Sequence, residues 1–261
     1  MTMTDSDRDD LLWVLALVPP LGVRLYGAGT EAATQALLLL ALAFGIAYGW
    51  AALFARGAGR PLGPGLPAFA MTFVLMLPGP VALGGTVLAL SFGAVFGREI
   101  FGGRAILSPA LVGLAFAIFS FPEGGFEARG ILARPPDLLF AMSCLPGAVI
   151  LALRGSLAWQ VAIGAVVGAV TAGLLMGDPA WWTHLGRGAF AAGVLFLAAA
   201  PEGAVRGESA RWLHGVLVGV LIVVIRLANP DQPDGVVFAA LLGGLFAPLL
   251  DRALSWRPSH G

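Results

Sequence analysis

Long apolar runs, separated by short polar connections, recur along the whole chain. A helix needs about 20 apolar residues to cross a bilayer, and fewer where its flanking groups reach the interface. By that length there are ten hydrophobic segments, at residues 11–26, 31–55, 65–78, 81–97, 105–121, 137–153, 156–177, 185–200, 212–229 and 235–251. The connections leave no room for a separate soluble domain. The pattern predicts an all-α integral membrane protein with about ten transmembrane helices.

The composition supports this interpretation. Hydrophobic residues make up 58% of the chain and charged residues 11%, against about 25% charged residues in soluble domains. The net charge is zero and no basic run is present, so we expect the lipid bilayer, and not nucleic acid, as a partner. A single cysteine, Cys144, excludes an internal disulfide and any iron–sulfur cluster held by cysteines of this chain alone.

The third and eighth segments are short and proline-closed, and both contain the tripeptide Ala-Phe-Ala. A longer segment follows each of them and ends in an arginine, Arg98 in the first half and Arg226 in the second. Short, interrupted segments at matching places in two halves indicate a site near the membrane midplane, because broken helices free backbone dipoles there. Prolines that simply end short helices explain the pattern equally well.

This repeated pattern predicts an internal duplication of five segments plus five. An odd number of spans in each copy turns the two copies in opposite directions, which gives two inverted five-helix repeats. We therefore predict a single membrane domain over 11–252, with a first repeat at about 11–122 and a second at about 137–252. Cytoplasmic tails are predicted at 1–10 and 253–261.

The arginine positions predict the orientation of the chain. With ten spans, ten of the fifteen arginines fall on the side that holds both termini, and five on the other. Positive residues collect on the cytoplasmic side, so both termini are predicted to be cytoplasmic in a bacterial inner membrane. Counting the third and eighth segments as re-entrant gives the same ratio, so charge does not decide whether they span.

The histidines and carboxylates argue against two simple functions. His184 and His214 are predicted on opposite sides of about 30 Å of hydrocarbon, so we expect no haem held by this chain alone. The carboxylates fall at segment edges, and the middle of every segment is free of charge. A proton relay of buried acids is therefore not predicted.

Glycines at 164–173 and at Gly219 suit close helix packing.

Four stretches carry a family resemblance. They are Arg98–Gly103 followed by Ser108–Ala110 and Ser120–Pro122; His184-Leu185 with Gly188-Ala189; Phe196–Ala198 with Pro201; and Arg211 to Gly215, Ile225-Arg226, and Pro233 to Ala239 through Pro248–Asp251. Together they resemble the D-type subunit of Rnf ion-translocating electron-transport complexes and the B-type subunit of sodium-pumping NADH:quinone oxidoreductase. The match covers most of residues 11–252. In that family ten spans carry flavins and pass electrons beside other subunits, and the resemblance implies the same architecture here.

The chain departs from this family where a flavin would be held. Family members attach flavin mononucleotide to the threonine of a Ser-Gly-Ala-Thr-type motif in a long loop after the fifth span. The loop at 122–137 contains no serine or threonine. Ser108 and Gly244 stand where the family has asparagines, and Ala199-Ala200 replace a Thr-Asp pair. The resemblance therefore implies no covalent flavin, and at most a non-covalent riboflavin or flavin mononucleotide.

The sequence thus predicts a non-catalytic or accessory subunit of an Rnf- or sodium-pump-like redox complex, working with other membrane and redox subunits. A channel or carrier for an ion or small solute on the same scaffold, and a structural assembly subunit, are the alternatives. No catalytic residue and no metal site are predicted. The residues predicted to line a central cofactor-binding site are Arg98, Gly102, Gly103, Arg104, Ser108, Pro109, Arg226 and Asp234. A plain turn at the glycines and interfacial arginines explain the same residues.

Overall fold

The described residues form helices joined by turns and short connections. The computed structural model describes residues 5–26, 29–77, 82–121, 137–186, 189–202, 205–229 and 235–255 of the 261. Regular structure within these ranges consists of helices, which confirms the predicted all-α class. The chain divides into two compact units, Met1–Ser156 and Leu157–Gly261.

The first unit contains six helices among its described residues. They are α1 (Asp5–Tyr26), α2 (Gly29–Ala58), α3 (Leu66–Met76), α4 (Leu83–Gly97), α5 (Pro109–Ser120) and α6 (Asp137–Leu153). A single 3-10 turn, Glu99–Phe101, follows α4. Helix α1 begins six residues before the predicted span, because Asp5 and Asp7 in its first turn favour a helix amino terminus. Helix α5 begins at Pro109, whose fixed φ suits the first helical position.

Helices α1 and α3 of this unit run parallel. At one end, Asp10 Oδ1 accepts a hydrogen bond from the Gly65 N–H at 2.7 Å. At the other end, the Arg24 guanidinium donates to the carbonyl oxygens of Leu75 and Leu77. These contacts fix α3 to α1 along the length of α3, and they satisfy carbonyls that the helix end leaves free.

Helices α4 and α5 form an antiparallel pair at close range. A Cβ on Gly93 would lie 2.4 Å from the Pro109 carbonyl oxygen, and a Cβ on Gly113 would lie 2.7 Å from the Ala89 carbonyl oxygen. Helix α6 packs on α1 in the opposite direction, since the Ser156 hydroxyl lies 3.3 Å from an Asp9 carboxylate oxygen beyond the end of α6.

The second unit contains five α-helices and one π-helix among its described residues. They are α7 (Trp159–Leu175), α8 (Thr183–Gly186), α9 (Ala189–Gly193), the π-helix Val194–Ala198, α10 (Glu208–Ala228) and α11 (Gly235–Ser255). We call the stretch from Thr183 to Ala200 segment eight, because it corresponds to the eighth apolar run.

Helices α7 and α10 are parallel and touch backbone to backbone. A Cβ on Gly168 would lie 2.2 Å from the Val216 carbonyl oxygen, and one on Gly219 would lie 2.0 Å from the Ala165 carbonyl oxygen. Only a residue without a side chain permits such an approach. The predicted packing role of these glycines is confirmed, and we call this contact the glycine seam.

Segment eight passes from one end of the glycine seam to the other. Its first turn lies at the carboxyl ends of α7 and α10, where Arg226 Nη1 donates to the His184 carbonyl oxygen at 2.6 Å. Its last residues lie at the amino end of α7, where the Ala199 carbonyl oxygen accepts the Ala158 N–H at 3.0 Å. Segment eight therefore runs antiparallel to both long helices.

Helix α11 returns antiparallel to α10. A Cβ on Gly235 would lie 2.7 Å from Ile225 Cγ2, at the carboxyl end of α10. At the amino end of α10, the Asp251 carboxylate accepts the N–H groups of Arg206 and Gly207 at 3.0–3.1 Å. A carboxylate at a helix amino terminus satisfies free N–H groups and complements the helix dipole.

Eight of the described helices are apolar, but they differ in length. Four are long and apolar enough to cross a membrane: Thr30–Ala58, Leu83–Phe101, Glu208–Ala228 and Gly235–Leu254. Four shorter apolar helices have 10–17 residues: Leu66–Met76, Pro109–Ser120, Leu138–Leu153 and Trp159–Leu175. The predicted segments were measured over whole apolar runs, whereas several helices begin or change type inside those runs, as α5 does at Pro109.

Candidate functional site

The predicted site residues of the first unit belong to a buried ion-pair network. Arg98 and Glu99 are each only 3% exposed. Arg98 Nη1 bonds one carboxylate oxygen of Glu99, and Arg60 bonds the other. Arg98 Nη2 also donates to the Pro64 carbonyl oxygen at 2.9 Å. A buried charge is costly without a partner. The Glu99 carboxylate therefore stabilises the guanidinium groups of both arginines just after the end of α4.

The two glycines that follow build the turn of this network. Gly102 and Gly103 have φ angles of +73° and +79°, which side chains rarely adopt. Their N–H groups donate to the carbonyl oxygens of Glu99 and Arg98. The turn reverses the chain after α4 and leaves the Arg98 and Glu99 side chains inside. Both glycines, which the sequence predicts to line a cofactor-binding site, lie in this turn.

The two glycines should respond differently to alanine. Each substitution forces an alanine into the left-handed region, which costs about 1–2 kcal/mol. A Cβ at Gly102 has open space, whereas a Cβ at Gly103 would lie 2.1 Å from Arg60 Nη1. We expect Gly103→Ala to be the more destabilising change, because it also displaces Arg60 from Glu99. Thermal unfolding of the purified chain in detergent measures the difference.

An Arg60→Ala background supplies the control for this comparison. Without the guanidinium, Gly103→Ala should cost no more than Gly102→Ala, because only the backbone strain remains. An equal cost for the two glycine variants in the wild-type background would contradict the predicted displacement of Arg60.

Asp10 lies beside this network, one residue before the predicted first span. Its carboxylate accepts the Gly65 N–H, which precedes α3. Burial raises the pKa of Asp10, while the Gly65 hydrogen bond and the positive charge of Arg98 act in the opposite direction. The Asp10–Gly65 hydrogen bond therefore joins the amino-terminal part of α1 to the entry of α3, beside the Arg98–Pro64 contact.

The remaining predicted residues of this unit differ in exposure. Ser108 is 6% exposed and stands just before α5, where its side chain makes no cap hydrogen bond. Pro109 is buried, with its Cα 2.8 Å from where a Cβ on Gly97 would lie. Arg104 is exposed. Pro109 thus contributes to helix packing.

Arg226 forms the corresponding contact of the second unit. It is 3% exposed at the last turn of α10, and its Nη1 donates to the His184 carbonyl oxygen. The His184 ring nitrogen Nε2 lies 2.8 Å from Asp178 Oδ2. Asp234, also predicted for the site, lies outside the described residues.

Arg98 and Arg226 therefore make equivalent contacts in their own units. Each lies at the carboxyl end of a long helix. Each donates to a backbone carbonyl at the entry of a short segment: Pro64 before α3, and His184 in the first turn of segment eight. The partners Arg60 and Asp178 were not predicted as site residues. Their charges, beside apolar segments, are the only sequence signal for them.

Three positions where the resemblance implies polar family residues carry no polar side chain here. Ala199 and Ala200 are 0% and 2% exposed, and the Ala199 carbonyl oxygen already binds the Ala158 N–H. Gly244 is buried as well. Methyl groups and hydrogens cannot donate to or accept from an isoalloxazine ring or a ribityl chain. Within the described ranges, no group of three or more His, Cys, Asp or Glu could hold a metal ion.

Comparison with known proteins agrees with the resemblance. A model of the NQR2, RnfD, RnfE family matches residues 2–127 and 138–259. The chain is 30% identical to the B-type subunit of the Na(+)-translocating NADH-quinone reductase of Azotobacter vinelandii, over 87% of this chain and 68% of that protein. The same protein of Ectopseudomonas mendocina is 29% identical, over 85% and 67%. That of Pseudomonas aeruginosa is 31% identical, over 77% and 62%.

The chain spans about two thirds of the length of these relatives. The family match leaves out residues 128–137, which lie in the shortened loop without serine or threonine. On either side of that loop the match runs nearly to both ends of the sequence. The chain belongs to the NQR2, RnfD, RnfE family.

Proposed function

We propose that this protein is the membrane subunit of an ion-translocating electron-transport complex of the Rnf or sodium-translocating NADH-quinone reductase type. The observation that carries the proposal is the family match over both halves of the chain. The relatives it matches are named as the B-type subunit of a Na(+)-translocating NADH-quinone reductase. In this proposal the chain lies in a bacterial inner membrane with both termini cytoplasmic, and partner subunits carry the redox centres.

We further propose ten spans arranged as two inverted repeats. The order of a long helix, a short segment and two further helices occurs in each unit, and the short segment lies against its long neighbours in each. Helices α1 and α6, the first of each predicted repeat, run antiparallel in the first unit. Segment eight runs antiparallel to α7 and α10, which supports counting it as a span.

The proposed role is that of a membrane scaffold without a covalent flavin. The loop at 122–137 offers no hydroxyl for a phosphoester bond, and the buried alanines at the end of segment eight offer no polar side chain to a flavin. Arg98 and Arg226 fix the entries of the two short segments. In this role, the predicted site residues stabilise the fold of the membrane domain. The electron carriers are bound by neighbouring chains.

Native purification tests the proposal. A tagged chain, extracted in mild detergent from its own bacterium, should bring down flavin- or iron–sulfur-containing subunits. Intact-mass analysis should give this chain its unmodified mass, 26.8 kDa plus the mass of the tag. The visible spectrum of the assembly should show its redox centres.

Three results would contradict the proposal. A chain heavier by one flavin mononucleotide would disprove the absence of a covalent flavin. A chain that purifies alone, colourless, and makes liposomes permeable to an ion or small solute would replace the redox complex with a carrier. A deletion strain that keeps its redox-driven ion transport would argue against the role in the complex.

A further inference from the structure

Three arginines lie at one end of the first unit. Arg56 is in the last turn of α2, Arg60 follows that helix, and Arg104 follows the turn after α4. The Arg60 side chain bonds Glu99. Arg56 and Arg104 are exposed, and neither side chain makes a hydrogen bond or ion pair within the described part of the chain. Their guanidinium groups can therefore bind an anion from outside the chain.

The end of α2 holds Arg60 close to Arg56. Gly59 has a φ angle of +62°, and the Arg60 N–H donates to the Ala55 carbonyl oxygen at 3.0 Å. This is a common glycine ending of a helix, in which the chain folds back over the last turn. Arg60 therefore stays at the turn that carries Arg56.

The turn after α4 places Arg104 beside the same end of α2. Gly103 lies against the Arg60 guanidinium, since a Cβ on Gly103 would be 2.6 Å from Arg60 Cζ. Arg104 is the next residue of the chain, and the 3-10 turn before these glycines packs on α2. We call Arg56, Arg60 and Arg104 the arginine patch.

The carboxylates at this end of the unit contact other groups. The Glu99 side chain is 1% exposed and is shared between two arginines. Asp10 accepts a backbone N–H at the entry of α3. Asp5 pairs with Arg8, and Asp9 lies beside a hydroxyl beyond the end of α6. Among the described residues, none of these four carboxylates bonds the two exposed arginines of the patch.

The arginine patch lies where two apolar helices end. Thr30–Ala58 and Leu83–Phe101 are both long and apolar enough to cross a membrane. The patch begins in the last turn of the first and lies just after the second. Charged residues at the end of a membrane span lie at the depth of the lipid headgroups.

Exposed apolar side chains border the arginine patch. Leu53 stands three residues before Arg56 on α2, and it is 60% exposed. Ile100 and Phe101 in the 3-10 turn, and Ile106 just beyond the patch, are exposed as well. Positive charges beside exposed apolar groups match a molecule whose anionic headgroup adjoins hydrocarbon chains.

We propose that the arginine patch binds the headgroup of an anionic phospholipid. The headgroup phosphate accepts N–H groups of Arg56 and Arg104, because the planar guanidinium fits two phosphate oxygens at once. Arg60 adds positive charge while it stays bonded to Glu99, and the acyl chains lie along Leu53 and its apolar neighbours. This site requires the chain to lie in a bilayer, and it is independent of the proposed redox role.

Lipid titration of the full chain, purified in detergent, tests the proposal. Thermal unfolding is followed while phosphatidylglycerol or phosphatidylcholine with the same acyl chains is added, so that the lipids differ in headgroup charge. Phosphatidylglycerol should raise the unfolding temperature more than phosphatidylcholine does. In Arg104→Gln, the phosphatidylglycerol concentration that gives half of this effect should rise about fivefold, the contribution typical of one arginine at an anionic surface. Arg56→Gln should have a similar effect.

Arg154→Gln is the matched control, because Arg154 is also an exposed arginine of the first unit and lies just after α6. It should leave the titration unchanged. Equal effects of the two lipids, an unaltered titration in Arg104→Gln, or an equal loss in Arg154→Gln would each overturn the proposal. Equal stabilisation by inorganic phosphate would also overturn it, because the apolar neighbours would then contribute nothing. Each result is read on the isolated chain and does not depend on redox subunits.

Discussion

Replacing Gly219 with alanine should destabilise the protein by about 3 kcal/mol, the upper range for an added methyl group in a packed core. The new Cβ would lie 2.0 Å from the Ala165 carbonyl oxygen and 2.8 Å from the Ala169 nitrogen. Both atoms belong to the backbone of α7, so no side chain can rotate away and the two helices must separate. Unfolding in mixed detergent micelles, followed by circular dichroism, measures the loss.

Gly45→Ala is the matched control for this experiment. Gly45 also lies inside a long apolar helix, but a Cβ there has nothing within 4 Å. Since alanine favours helix more than glycine does, Gly45→Ala should leave stability unchanged or slightly higher. Equal effects at both positions would show that the cost is one of losing glycine itself and not of the glycine seam.

Removing the carboxylate of Glu99 should have an effect of similar or greater size. Arg98 and Arg60 share this carboxylate, and Arg98 is 3% exposed. Glu99→Ala leaves a buried guanidinium without its ion-pair partner, a change that typically costs about 3–5 kcal/mol. The loss of unfolding free energy in detergent micelles should be matched by a lower yield of folded protein.

Two variants separate charge from packing in this prediction. Glu99→Gln keeps the size of the side chain and one acceptor oxygen, so it should be less damaging than Glu99→Ala but still destabilising. Asp5→Ala removes the carboxylate of the exposed pair with Arg8 and should lower stability by less than about 1 kcal/mol. If Glu99→Ala were equally harmless, the network would not contribute to the fold.

The sequence located the helices well, because apolar run length directly limits where helices can cross a bilayer. Helix α6 spans Asp137–Leu153 and α4 ends at Gly97, as predicted. Changes of helix type inside an apolar segment could not be predicted from the length of that segment. The π-helix at Val194–Ala198 lies within an uninterrupted apolar stretch, and its form depends on packing that hydrophobicity does not encode.

At the candidate site, the sequence predicted the positions of the charged residues but not the groups that they contact. Arg98 and Arg226 were identified because a charge at the end of an apolar run is conspicuous. Their backbone partners were not, since Arg98 and Pro64 are 34 residues apart and Arg226 and His184 are 42 apart. Spacing of that kind does not determine which groups meet. Glu99 was predicted at a segment edge, and the structure buries it there between two arginines.

The glycine seam has a mechanical consequence for the second unit. Because α7 and α10 meet through backbone atoms, few side-chain rearrangements are open at this contact, and we expect the two helices to move as one rigid body. Segment eight is bonded to this helix pair by Arg226 at one end and by Ala158 at the other. We therefore expect a conformational change in this unit to bend segment eight between these two contacts, near the π-helix.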